Sequence, residues 1–85
     1  MTFSQLNAKL GGNLREADWH QHTNGGGWVQ NTAVVDVTAF VGPDARVRGH
    51  ARVYGDAKVY GSARVRGDAR VYGDAKVYGP AQVYG

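Results

Sequence analysis

The sequence predicts an all-β solenoid preceded by a small N-terminal cap, and three observations carry that prediction. An Ala-x-Val triplet recurs every six residues from Ala33/Val35 to Ala81/Val83, nine times without an insertion. Glycine recurs between the triplets, so short strands alternate with turns. A period of six fits neither the helical 3.6 nor the coiled-coil seven. Within a unit, Ala and Val stand two apart and share one side of a strand. The residue between them, usually Arg or Lys, takes the other side. Self-similarity at this interval marks a repeat architecture, in which each unit buries its apolar side by stacking on its neighbours.

Composition limits the alternatives. The chain has 85 residues, with 13 Gly, 5 Tyr, 2 Trp and no Cys. That length suits one small domain and not a two-domain enzyme. Without cysteine there is neither a disulfide framework nor a thiolate metal site. Ten Lys plus Arg against seven Asp plus Glu give +3, a modest excess rather than a basic tail. No apolar run approaches the roughly 18 residues of a membrane span, and no basic-then-apolar leader opens the chain. A cytoplasmic protein without a membrane partner is expected.

Two regions follow, a cap over residues 1–28 and a repeat over 29–85. In the cap, residues 4–10 suit a short helix stopped by Gly11-Gly12, and Asn13 is placed to cap a second turn from Leu14 to Trp19. Phe3, Leu6, Leu10, Leu14, Trp19 and Trp28 supply the apolar bulk to cover the first coil. Val29 extends the valine register one step ahead of the first triplet. The repeat then runs to Val83-Tyr84-Gly85, whose pattern leaves a strand edge open, and open edges invite pairing.

The repeat resembles the hexapeptide-repeat family, in which an aliphatic residue is followed four positions later by a small one, as Val59 by Ala63. Val41-Gly42-Pro43-Asp44-Ala45 comes nearest to that family's wording. Elsewhere the glycine sits one position later, as in Val53-Tyr54-Gly55. The resemblance implies a left-handed parallel β-helix of about three coils, with three hexads to a coil and residues 18 apart stacked. The stretch Trp19-His20-Gln21-His22, with Asn24-Gly25-Gly26-Gly27-Trp28-Val29, resembles a leader found in phage and prophage proteins carrying such repeats. That likeness implies a host-cell cytoplasm as the site of action.

Stacking by 18 turns the repeat into columns. One face carries Arg46, Arg64 and Gln82, with Arg48, Arg66 and Tyr84 beside them. A second carries Lys58 and Lys76 with Tyr60 and Tyr78. The third carries Arg52 and Arg70 with Tyr54 and Tyr72. Acidic residues fall in the corner columns, among them Asp44, Asp56, Asp68 and Asp74. Like charges one rung apart repel, so the arginine face suits an anionic partner, and Tyr and Arg are favoured binding anchors. The expected function is a non-catalytic module that presents Arg46, Arg48, Arg64, Arg66, Lys58, Lys76 and the four face tyrosines to a protein partner with an acidic surface. Inhibition of a host or defence complex is the use suggested by the leader. Binding of nucleic acid or a nucleotide by the same arginines is the alternative, although +3 is a weak charge for it. A structural or assembly role is a further one. Gln82, Val83 and Tyr84 are the expected contact of a homo-oligomer, either a dimer through the last coil or a trimer.

Catalysis is the lesser reading, and no cofactor is expected. His50, the one histidine in the repeat, should stack beside Asp68, which would orient its imidazole. Acyltransferases of the hexapeptide-repeat family use a histidine near a subunit boundary as general base, which would make His50 the base of a homotrimer. This chain lacks their excursion loop. His20 and His22 share one face of a strand and are the nearest approach to a metal pair, but no further ligand stands at recognisable spacing, Glu16 and Asp18 being merely near. The triple glycine lacks the Lys-Ser/Thr ending of a phosphate loop.

Overall fold

Stacking at the eighteen-residue interval is what the chain adopts in the computed structural model, which describes residues 1–85. Helix α1 (Phe3–Lys9) leads through a 3-10 turn (Glu16–Asp18) into β1 (Trp19–Gln21). Ten short strands follow: β2 (Trp28–Gln30), β3 (Val34–Val35), β4 (Phe40–Val41), β5 (Arg46–Val47), β6 (Arg52–Val53), β7 (Lys58–Val59), β8 (Arg64–Arg66), β9 (Arg70–Val71), β10 (Lys76–Val77) and β11 (Gln82–Tyr84). They form three walls: β2-β5-β8-β11, β3-β6-β9 and β4-β7-β10, all parallel, with β1 added antiparallel outside β2. This is a parallel β-solenoid of about three coils.

Register follows the repeat residue for residue. Val29 pairs with Val47, Val47 with Val65 and Val65 with Val83; Val35-Val53-Val71 and Val41-Val59-Val77 are the other two inward columns. The Val and Ala columns form one buried cluster along the axis. The column is tightest in its middle, where Val41 to Val65 and Ala39 to Ala63 are fully covered. It opens at the last coil, where Ala75 and Ala81 are exposed and Val83 is only partly buried.

Corners depend on glycine where coils two and three meet. Gly49 has φ +71, and a Cβ there would lie 3.0 Å from the amide nitrogen of Gly67. That left-handed backbone and that close approach both require glycine. Coil one uses side chains at the same corners instead. The Thr38 hydroxyl donates to the carbonyl of Gly55 at 2.7 Å, and the Gln30 side-chain oxygen accepts from the amide of Gly49 at 2.8 Å. Gly42 serves differently, because a Cβ there would crowd Tyr60.

The N-terminal residues depart from the sequence expectation in detail. Helix α1 begins one residue earlier than expected, with a capping box in which the Gln5 amide donates to the Thr2 hydroxyl and the Thr2 amide donates to Oε1 of Gln5. Asn13 caps nothing; the side-chain oxygen of Asn7 accepts from the Leu14 amide at 2.8 Å, and only three residues form the 3-10 turn. The reason is that Trp19 is already committed to β1, paired against Gln30.

The apolar cluster of Leu6, Trp19 and Trp28, with Met1, Phe3, Leu10 and Leu14 against it, is separate from the Val/Ala column. Trp28 stands above Arg46 in an outward column, so α1 lies on the outside of the β2-β5 wall rather than over the column's end. Over β4, the loop after β1 supplies the next rung: Gly27 donates to the Val41 carbonyl, and the Val41 amide donates to the carbonyl of Asn24. The upper edge of β3 has no strand beyond it, and Val34 and Val37 are exposed there.

Candidate interaction face

The wall β5-β8-β11 sets the arginines. Arg46 pairs with Arg64, and Arg64 with Gln82; Arg66 pairs with Tyr84, and the same register puts Arg48 above Arg66. Neighbouring rungs lie about 4.8 Å apart, and positions two apart along a strand about 6.6 Å. The four guanidinium-bearing residues thus occupy a small rectangular lattice on one face. The Arg66 guanidinium carbon lies 5.0 Å from the centre of the Tyr84 ring, a cation–π distance.

The four are not equivalent. Arg64 and Arg66 are exposed and Arg48 is half-buried, whereas Arg46 is only 4% exposed. Trp28 sits directly above it with α1 seated on the indole. The Phe3 ring meets Trp28 edge-on at 5.7 Å, and the indole N–H donates to the Met1 carbonyl at 2.9 Å. Nε of Arg46 is buried with no acceptor. Burial, and after it the charges of Arg64 and Arg48, lower the pKa of Arg46 from its ordinary value.

Nothing in the chain neutralises this lattice. The molecule's one ion pair joins the Met1 ammonium to Asp44 at 3.7 Å, so none of the ten Lys and Arg side chains is paired with a carboxylate. Most acidic residues of the repeat stand at corners, outside the strands that carry most of the cations; Asp36 instead lies in the Tyr54-Tyr72 column.

On the other two walls the tyrosines form ladders. Tyr54 and Tyr72 stack at 5.4 Å between ring centres, 11° from parallel; Tyr60 and Tyr78 stack at 5.4 Å and 13°. Each ladder flanks a basic column, Arg52-Arg70 for the first and Lys58-Lys76 for the second. Tyr72, Tyr78 and Tyr84 are well exposed. Gln82 and Tyr84 are exposed on β11 around the partly buried Val83, and no strand lies beyond them.

The histidines lie apart. His50 is exposed at its corner; its amide donates to the Gly67 carbonyl at 2.9 Å, and its imidazole makes no ion pair with Asp68. His20 and His22 have separate partners. Nδ1 of His20 lies 2.6 Å from the side-chain oxygen of Asn31, whose amide group donates to Ala17, so the histidine nitrogen is the donor. Nε2 of His22, a buried residue, donates to the Ala39 carbonyl at 2.8 Å, since a carbonyl can only accept. No group of three His, Asp or Glu side chains is placed around a common point.

Sequence reasoning missed the burial of Arg46. The signal was available: Trp28 precedes Arg46 by 18 residues, so the register places an indole over that guanidinium.

Fold and lattice together define the class: a short β-solenoid repeat protein with a cationic, tyrosine-flanked exterior. Residues 51–67, the run from β6 into β8, match the family described as the YdcK beta solenoid repeat, and this stretch of the chain is similar to that repeat. No curated protein and no solved structure matches the chain.

Proposed function

We propose that this chain is a non-catalytic protein-interaction module whose arginine face, with the Tyr60-Tyr78 ladder at the adjoining corner and the Tyr54-Tyr72 ladder as further contact surface, docks on an acidic surface of a partner protein. The observation that carries the reading is the unneutralised lattice: four arginines in register, one of them buried, with no carboxylate from the chain itself. Arginine and tyrosine are the residues that most often anchor protein interfaces. The coil hand implied by the hexapeptide-repeat resemblance, left-handed, belongs to this proposal, as does its setting in a host cytoplasm. The likeness of Trp19–His22 and Asn24–Val29 to phage and prophage leaders is the basis for taking the partner to be a host or defence complex, with inhibition as the outcome.

Nucleic acid is the second anionic class, and the tyrosines argue against it. Single-strand binders stack bases on free aromatic faces. Here one face of each ladder ring is taken by its neighbour, and one face of Tyr84 by Arg66, so fewer ring faces are free than the tyrosine count suggests. Acyl transfer has less support: His50 faces solvent and makes no ion pair with Asp68. Self-association through Gln82, Val83 and Tyr84 on β11 is part of the proposal.

Affinity capture from host extract tests the reading. The wild-type chain should retain a discrete protein after nuclease treatment, and Arg46/Arg48/Arg64/Arg66→Ala should lose it at least tenfold. Recovery of nothing, or equal recovery by both chains, contradicts the proposal.

A further inference from the structure

The lattice also constrains the shape of what it binds. Resting on the reading that this face docks an acidic protein surface, we infer that the docking element is an extended polypeptide segment carrying carboxylates two residues apart. Arg48 and Arg66 stand one rung apart, about 4.8 Å. That separation lets both guanidinium groups donate to one carboxylate, each to its own oxygen at about 2.8 Å. Arg64 stands two residues along β8 from Arg66, about 6.6 Å, with Arg46 one rung above it in the same column. The second carboxylate belongs there. In an extended chain, side chains at i and i+2 lie on one face at that same repeat.

Space favours a strand over a helix. Above the exposed arginines, Trp28 and α1 close the face at the Arg46 row. Below, Tyr84 occupies the next rung under Arg66. An extended chain takes up about one rung spacing, roughly 4.8 Å, whereas a helix with side chains needs about 10–12 Å. The open row along β8 accommodates the first. A polynucleotide would find phosphate-binding groups here, and one face of the Tyr84 ring is already covered by Arg66.

The test is fluorescence anisotropy with labelled octapeptides, at low ionic strength, on the intact chain. One peptide carries Glu at i and i+2, a second carries the same residues at i and i+1, a third at i and i+4, and a single-stranded oligonucleotide of equal charge is the fourth probe. The i/i+2 peptide should bind at least tenfold tighter than its isomers. Arg64→Gln/Arg66→Gln should abolish that preference with a loss of tenfold or more, while Arg52→Gln/Arg70→Gln, on another wall, should change affinity less than twofold. All four positions are exposed, so neither variant disturbs the core. Equal binding of the isomers, a preference for i/i+4, or no measurable peptide binding overturns the inference. If a captured protein still depends on these arginines, the proposed function survives that result. Tighter, arginine-dependent binding of the oligonucleotide overturns both.

Discussion

Arg46 is the residue whose position is hardest to justify by stability alone. A guanidinium partly withdrawn from water without an acid partner carries a desolvation cost, and here its Nε is buried with no acceptor. Its lowered pKa carries the same sign: the folded chain holds the charged form less well than the unfolded chain does. The penalty is therefore present at every pH below the folded pKa and fades only as pH rises through it, in the strongly alkaline range. Arg46→Met, which keeps the length and drops the charge, should stabilise the fold by about 1–3 kcal/mol, read as a higher urea midpoint at unchanged slope. A lower midpoint would mean that the guanidinium is better accommodated than its contacts indicate. Residue identity alone foretold the charge here; burial came from Trp28 one rung up, which only the register reveals.

At the scale of elements, the strands and the cap differ in how legible they are. Each coil strand is dictated by an Ala-x-Val triplet, because one inward column accepts only small or β-branched side chains and the glycine corners fix the phase. The cap has no such repetition. Its helix was readable from Gly11-Gly12, but its seat on Trp28 depends on one tertiary contact set, and the 3-10 turn yielded to the pairing of Trp19 in β1. Because the Leu6/Trp19/Trp28 cluster does not touch the column, it should open as its own unit. Leu6→Ala, at a fully buried position, should cost about 2–4 kcal/mol within the cap. Hydrogen exchange should then accelerate over residues 3–9 and leave the amides of β6 to β10 protected. Equal acceleration in the coils would show that the cap and the solenoid form one cooperative unit.

For the whole molecule, the repeat sorts charge by direction: cations on the flat walls, most carboxylates at the corners, and almost no pairing between them. That sorting is legible in the sequence as columns of 18, since it follows from the period alone. Which columns are free is not, because freedom depends on what α1 covers and on what meets the last coil. The proposed self-association through β11 leads to one expectation in solution. The wild-type chain should sediment as a discrete oligomer and Val83→Asp as a monomer; identical masses would leave the last coil without a role in assembly. The central claim, that the arginine lattice is the docking face, is tested most directly by the affinity of the captured partner for Arg48→Glu/Arg66→Glu at fixed ionic strength. The account predicts a loss of a hundredfold or more, about 2.7 kcal/mol or above, with the coil fold intact by circular dichroism. An affinity within twofold of wild type would contradict it.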